Sequence, residues 1–159
     1  MSLRIALAFD HAGIPLRETV TAAARAAGAQ VTDLGSWDDY PHAAIAAGRA
    51  ITTGDADRAI IVCGSGAGIA VAAAKLAGIR ACCAHDTYTA AQCVSHDDVN
   101  VLCLGARVVG AALADVLVRA YVGSTFSGEE RHVRRLGEIA AIEASPASPP
   151  SIPPGVPAS

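Results

Sequence analysis

Short apolar runs alternate with longer helical stretches along residues 4–121, and no other feature limits the possible folds so strongly. Runs at 4–9, 30–34, 58–63, 80–83 and 100–104 read as strands. Residues 15–27, 41–53, 69–77, 87–94 and 108–121 read as helices between and after them. Pro15 suits the first turn of its helix, Gly28 closes it, and Gly54 stops the next one. The run Arg-Ala-Ile-Ile-Val-Cys ending at Cys63 is continuously apolar after its first residue, as a strand covered on both faces must be. Such alternation predicts a three-layer, Rossmann-like α/β fold, a doubly wound parallel sheet of about five strands, with a further helix over 128–144 at the C-terminal end.

Composition narrows the class. A net charge of −3 argues against nucleic-acid binding, where a basic field supplies the affinity. Every apolar run is interrupted well short of the roughly 18–20 residues of a membrane span. The start, Met-Ser-Leu-Arg, lacks the pattern of a signal peptide, so a cytoplasmic protein with reduced thiols is expected. The five cysteines, at 63, 82, 83, 93 and 103, contain no C-x-x-C pair, and no metal site is expected. Aromatics are only 4% of the chain, and abundant alanine favours closely packed helices. Residues 145–159 hold six of the eight prolines and no charge, which predicts a domain over 1–144 and a disordered tail beyond it.

In open parallel sheets, ligands bind beyond the carboxyl ends of the strands. The loops to inspect are therefore 10–13, 35–40, 64–68, 84–86, 95–99 and 105–107. One of them belongs to the segment Cys63-Gly64-Ser65-Gly66-Ala67-Gly68-Ile69. Its glycines allow close backbone approach, and N–H groups entering the next helix attract an anion, either a phosphate or an enediolate oxygen. A tight strand–helix turn would use the same residues. Cys63 ends the strand before this loop, as a thiolate base or a small buried apolar residue. Asp10 and His11 end the first strand, where a cap is the simple alternative. His96 can exchange protons near neutral pH, or can be an ordinary loop histidine. Arg131 and Arg135 share a helix face and can chelate a phosphate, with Arg107 as a third cation, or can be a solvated face.

These stretches resemble, in collinear order, the type B ribose-5-phosphate isomerases and the related galactose-6-phosphate isomerase subunits. The resemblance is carried by Ala8-Phe9-Asp10-His11-Ala12-Gly13, Asp39-Tyr40-Pro41-His42, the Cys63 loop, Gly78-Ile79-Arg80-Ala81, the segment from His96 to Leu102, Gly105-Ala106-Arg107-Val108-Val109-Gly110 and Arg131-His132. It covers all but the tail. It implies an aldose–ketose isomerase of phosphorylated sugars, without metal or cofactor, working as a homodimer or a dimer of dimers. Cys63 would shuttle a proton between C1 and C2 through a cis-enediol, assisted by Ser65. Backbone N–H groups of Gly64, Ser65, Gly66, Ala67 and Gly68 would hold the developing oxyanion. His96 would open the furanose ring beside Asp10, while His11, Arg107, Arg131 and Arg135 would bind phosphate, part of that set coming from a partner subunit. Asp97 stands where the family usually has Asn, Ala74 replaces another Asn, Val94 replaces Arg, and His85-Asp86 replaces a less charged pair. These departures fall on sugar-reading positions and leave a tetrose, another pentose or a hexose phosphate open as substrate. A non-catalytic sugar-phosphate binding module is the reading from another class.

Overall fold

Strand β3 (Arg58–Cys63), the most apolar run in the chain, lies at the centre of a five-stranded parallel sheet. A computed structural model describes residues 2–147 together with Ser151 and Gly155. The other strands are β1 (Arg4–Asp10), β2 (Gln30–Trp37), β4 (Ala81–Cys83) and β5 (Val101–Gly105), in the order β2-β1-β3-β5-β4. All four pairings are parallel, as predicted.

Alternation of side chains along each strand divides the interior into two layers. Ile5, Leu7, Phe9, Ile60, Val62, Leu102 and Leu104 face helices α1 (Arg17–Ala26), α4 (Thr87–Asp97) and α5 (Ala111–Gly123). Ala6, Ala8, Ala59, Ile61, Cys63 and Cys103 face α2 (Tyr40–Thr52) and α3 (Ala67–Ala73). The second layer is thin because α2 presents Ala43, Ala44, Ala47, Gly48 and Ala50 to it. The alanine content is thus spent on bringing α2 close to β1 and β3. Adding a methylene there would overpack the layer, at about 1–3 kcal/mol.

Several boundaries differ from those predicted, for local reasons. Strand β2 continues through Gly35 to Trp37, where a loop was expected, because a register irregularity between Leu7 and Phe9 lets Ser36 and Trp37 pair with Phe9 and Asp10. The helix predicted over 15–27 divides into a 3-10 turn at Ile14–Leu16 and α1. Helix α3 starts two residues early, directly after left-handed Gly66 (φ 80°), and ends at Ala73 in tighter i to i+3 turns. Helix α5 starts late because the Val108 and Val109 amides both turn back to the Gly105 carbonyl.

The chain divides into two compact units at Ser127/Gly128. The first carries the sheet and α1 to α5. The second carries α6 (Glu130–Ala144), with exposed ion pairs Arg134–Glu138 and Arg131–Glu129. Most of the proline-rich stretch over 145–159 lies outside the described residues. No helix among the described residues is long and apolar enough to cross a membrane.

Candidate active site

The sheet reverses its winding between β1 and β3, so their carboxyl ends open a crevice. Asp10 ends β1 there and is 4% exposed. Its Oδ1 accepts the N–H groups of Ala12 and Gly13, both at 2.9 Å, which fixes the carboxylate and turns the chain off the strand. Gly13 is required at this turn, since a Cβ would overlap the Val62 carbonyl. His11 projects beside Asp10, and its Nδ1 donates to the Asp38 carbonyl at 2.8 Å. In the neutral ring that leaves Nε2 as an acceptor.

Cys63 ends β3 alongside. Its Sγ accepts the Gly66 N–H at 3.1 Å, and the Ser65 hydroxyl accepts the Ala67 N–H at 3.2 Å. Gly66 has room for no side chain, since a Cβ would lie 2.7 Å from Cys83 Sγ. Two bonds tie this loop to the end of β5. Ala106 N–H reaches the Cys63 carbonyl and Arg107 N–H the Gly64 carbonyl, both at 2.9 Å. The Arg107 guanidinium lies over Gly64, where a Cβ would sit 3.3 Å from Nη1.

Asp10, His11, Cys63, Gly64, Ser65, Gly68 and Arg107 line one open cleft of about 270 Å³. Of the predicted site residues in this unit, these seven come together. Ala12, Tyr40 and Val108 also line it; each stands in a stretch that carries the resemblance, but the sequence assigned none of them a role. The signal for Tyr40 was Gly68: a Cβ there would come 3.0 Å from the tyrosine ring, so a glycine in the first turn of α3 marks the ring's close approach. Gly66, at the end of the loop, and Ala67, the first residue of α3, do not line the cleft.

His96 and Asp97 do not line this cleft either. They were expected in a loop over 95–99 but occupy the last turn of α4, where His96 Nδ1 lies 3.2 Å from Gln92 Nε2. The helix ends in an αL cap, with Asp98 N–H on the Val94 carbonyl, and Val99 N–H reaches the Cys93 carbonyl. Asp98 takes the left-handed position (φ 45°) normally left to glycine. Arg80 holds it there, with Nε on its carbonyl and Nη2 on its carboxylate, both at 2.7 Å. Arg131 and Arg135 lie one turn apart on α6 of the second unit. Of the departures from the family pattern, Val94 is fully buried in the core and Ala74 caps the end of α3. Val94 is therefore a packing residue.

The remaining cysteines divide by environment. Cys103 is fully buried and its thiol is pushed far up by desolvation. Cys93 is also buried, and a hydrogen bond with Cys82 followed by desolvation raises its thiol. Cys83 is exposed, with its sulfur against Gly66. Among the described residues, no cluster of three His, Cys, Asp or Glu side chains could hold a metal ion.

Residues 5–139 match the ribose/galactose isomerase family. Ribose-5-phosphate isomerase B of Escherichia coli is 41% identical over 144 residues, covering 88% of this chain and 96% of that protein. D-Erythrulose-4-phosphate isomerase 2 of Mycolicibacterium smegmatis is 39% identical over 150 residues, covering 90% and 99%. The solved structure of Leishmania infantum type B ribose 5-phosphate isomerase superposes with a TM-score of 0.87 at 34% identity, covering 92% of this chain and 99% of that one.

Proposed function

The chain belongs to the ribose/galactose isomerase family, and from that membership we propose that residues 1–144 form an aldose–ketose isomerase for a phosphorylated sugar, using Cys63 as its base. The observation that carries this reading is the convergence of Cys63, Ser65, Asp10, His11 and Arg107 on one cleft. His96, beside an Asp10 carboxylate, opens a cyclic substrate to its free aldehyde. The Cys63 thiolate then takes the proton from C2. The electrons of that C–H bond form the C1–C2 double bond, and those of the carbonyl move onto oxygen, giving a cis-enediolate. Backbone N–H groups of the 64–68 loop stabilise that oxygen, because preorganised donors act where charge develops. Ser65 passes a proton between the two oxygens, and return of the Cys63 proton to C1 completes the ketose.

Phosphate is assigned to His11, Arg107, Arg131 and Arg135. His96, Asp97 and the α6 arginines are assigned to a site completed by a second copy of the chain, in a homodimer or a dimer of dimers. A cytoplasmic location fits a reaction that needs a reduced thiol.

Relatives of nearly equal identity are named for a five-carbon and for a four-carbon substrate. Asp97 favours a substrate other than ribose 5-phosphate, since a carboxylate cannot donate the hydrogen bond of the amide it replaces. The test is a panel of four- to six-carbon sugar phosphates in deuterated water, compared by kcat/KM. Turnover with deuterium entering at the transferred position, abolished in Cys63→Ala, is the expected result. Binding without turnover across the panel would make the chain a sugar-phosphate binding module, and full activity of Cys63→Ala would refute the Cys63 mechanism.

A further inference from the structure

His85 follows β4 and has no part in the chemistry above. Strand β4 is three residues long and stops with Cys83 opposite Cys103, whereas β5 runs on to Gly105. The Ala84 N–H reaches the Cys103 carbonyl at 3.3 Å as the ladder ends. Beyond it the Gly105 amide donates to the side chain of His85, with 3.0 Å between N and Nε2. The imidazole takes the place of a carbonyl that a longer β4 would have supplied. A ring nitrogen that accepts is unprotonated, so this His85 is neutral with its proton on Nδ1.

Gly105 is the point where β5 meets the Cys63 loop. A Cβ there would come 2.5 Å from the Ser65 carbonyl carbon and 2.6 Å from its oxygen, so the Ser65 backbone rests directly on the Gly105 α-carbon. The next two residues bond to the Cys63 and Gly64 carbonyls. Residues 105–107 are therefore the template on which Cys63, Gly64 and Ser65 are laid, and His85 ties down the first of them. Cys83 backs the same loop, with its sulfur 3.8 Å from His85 Nε2 and against the α-carbon of Gly66.

We propose that His85 is a positioning residue for the isomerase reaction, holding Gly105 so that Ser65 and the N–H groups after it meet the developing enediolate oxygen. This rests on the reading of the Cys63 loop as the proton-transfer site. Removing an oxyanion donor outright costs about 10²–10³ in kcat, so a displaced loop should lose about 10- to 100-fold. The group acts on the transition state, and KM should move by less than about threefold.

The test compares His85→Leu with His85→Gln, whose amide offers an acceptor at similar reach. D-Ribose 5-phosphate and D-erythrulose 4-phosphate are the probes, and the one that the wild-type protein turns over faster is used. His85→Leu should lose kcat at nearly constant KM, and His85→Gln should recover it to within about threefold. In the free protein, NMR should detect a coupling across the hydrogen bond between the Gly105 amide nitrogen and His85 Nε2. The Ser65 and Gly66 amide resonances should shift in His85→Leu and return in His85→Gln. An unchanged kcat in His85→Leu, equal losses in both variants, or no coupling in the wild-type protein would overturn the role of His85 alone. Absence of wild-type turnover on the whole sugar panel would overturn the isomerase reading, and this role with it.

Discussion

The Gly66 amide donates to the Cys63 sulfur across 3.1 Å, and Gly66 itself turns left-handed (φ 80°) to start α3. The contact orients the sulfur toward the cleft that Asp10 and Arg107 also line. Cys63→Ser keeps an acceptor for that amide but replaces the thiolate with a far weaker base. Its kcat should fall by about 10²–10⁴, the usual worth of a positioned base. Circular dichroism melting should show a Tm close to wild type, and equal losses of Tm and activity would make Cys63 a packing residue.

Gly105→Ala drives a methyl into the Ser65 backbone. Overpacking of this kind costs about 1–3 kcal/mol. That corresponds to a Tm lowered by roughly 2–4 °C per kcal/mol for a chain of this size. Activity should fall with it. Gly137→Ala is the contrast, because α6 has open space at that position. It should raise Tm, since alanine stabilises an exposed helix over glycine by about 1 kcal/mol.

If His96 opens a furanose ring, its importance depends on the sugar. Ribose 5-phosphate closes to a ring, whereas a tetrose 4-phosphate has no free hydroxyl with which to form one. His96→Ala should lose about 10²-fold or more in kcat on the pentose, the scale of one acid–base group, and far less on the tetrose. Equal losses on both sugars would assign His96 to the proton-transfer step instead.

A site shared between two copies predicts complementation. Cys63→Ala and the double variant Arg131→Ala/Arg135→Ala should each be nearly inactive. After subunit exchange, half of the dimers are mixed and one of their two sites is intact, so about a quarter of wild-type activity should return. No recovery, with mixed dimers verified by mass spectrometry, would place the arginines and Cys63 in the same copy's site.

Asp57 provides a pH test remote from the chemistry. Hydrogen bonds from the Arg4 side chain and backbone hold its carboxyl below the usual aspartate range. Because the folded value is the lower one, its contribution is present above the unfolded value near 4 and lost as pH falls through the folded one. The Tm gap between wild type and Asp57→Asn should therefore be widest near neutrality and shrink below about pH 4. A gap that is constant with pH would indicate a purely steric effect.

The alternation of elements was legible because continuous apolar runs such as Arg58–Cys63 admit few readings beside a buried strand. The end of α4 was less so. Glycine usually signals such a stop, but here Asp98 takes the left-handed turn because Arg80, 18 residues away, holds it. His96 was therefore placed in a loop, when it belongs to a helix. Tyr40 lies in a stretch that carries the resemblance and His85 among its departures, but neither position discloses its part in the cleft or the template. Their importance lies in contacts with Gly68 and Gly105, whose sequence separations of 28 and 20 residues no local pattern reveals.

Strand–helix alternation, read from the chain alone, determined a parallel sheet with helices on both faces and limited the chemistry to the loops at one edge. Hydrophobic period is a local property, and burying it leaves few architectures. The tertiary structure decided which loops meet. Asp10 and Cys63 share a cleft because the winding reverses between β1 and β3, and Gly105 lies under Ser65 because β5 pairs beside β3. Those meetings depend on strand order, which non-local packing sets and no stretch of sequence carries by itself.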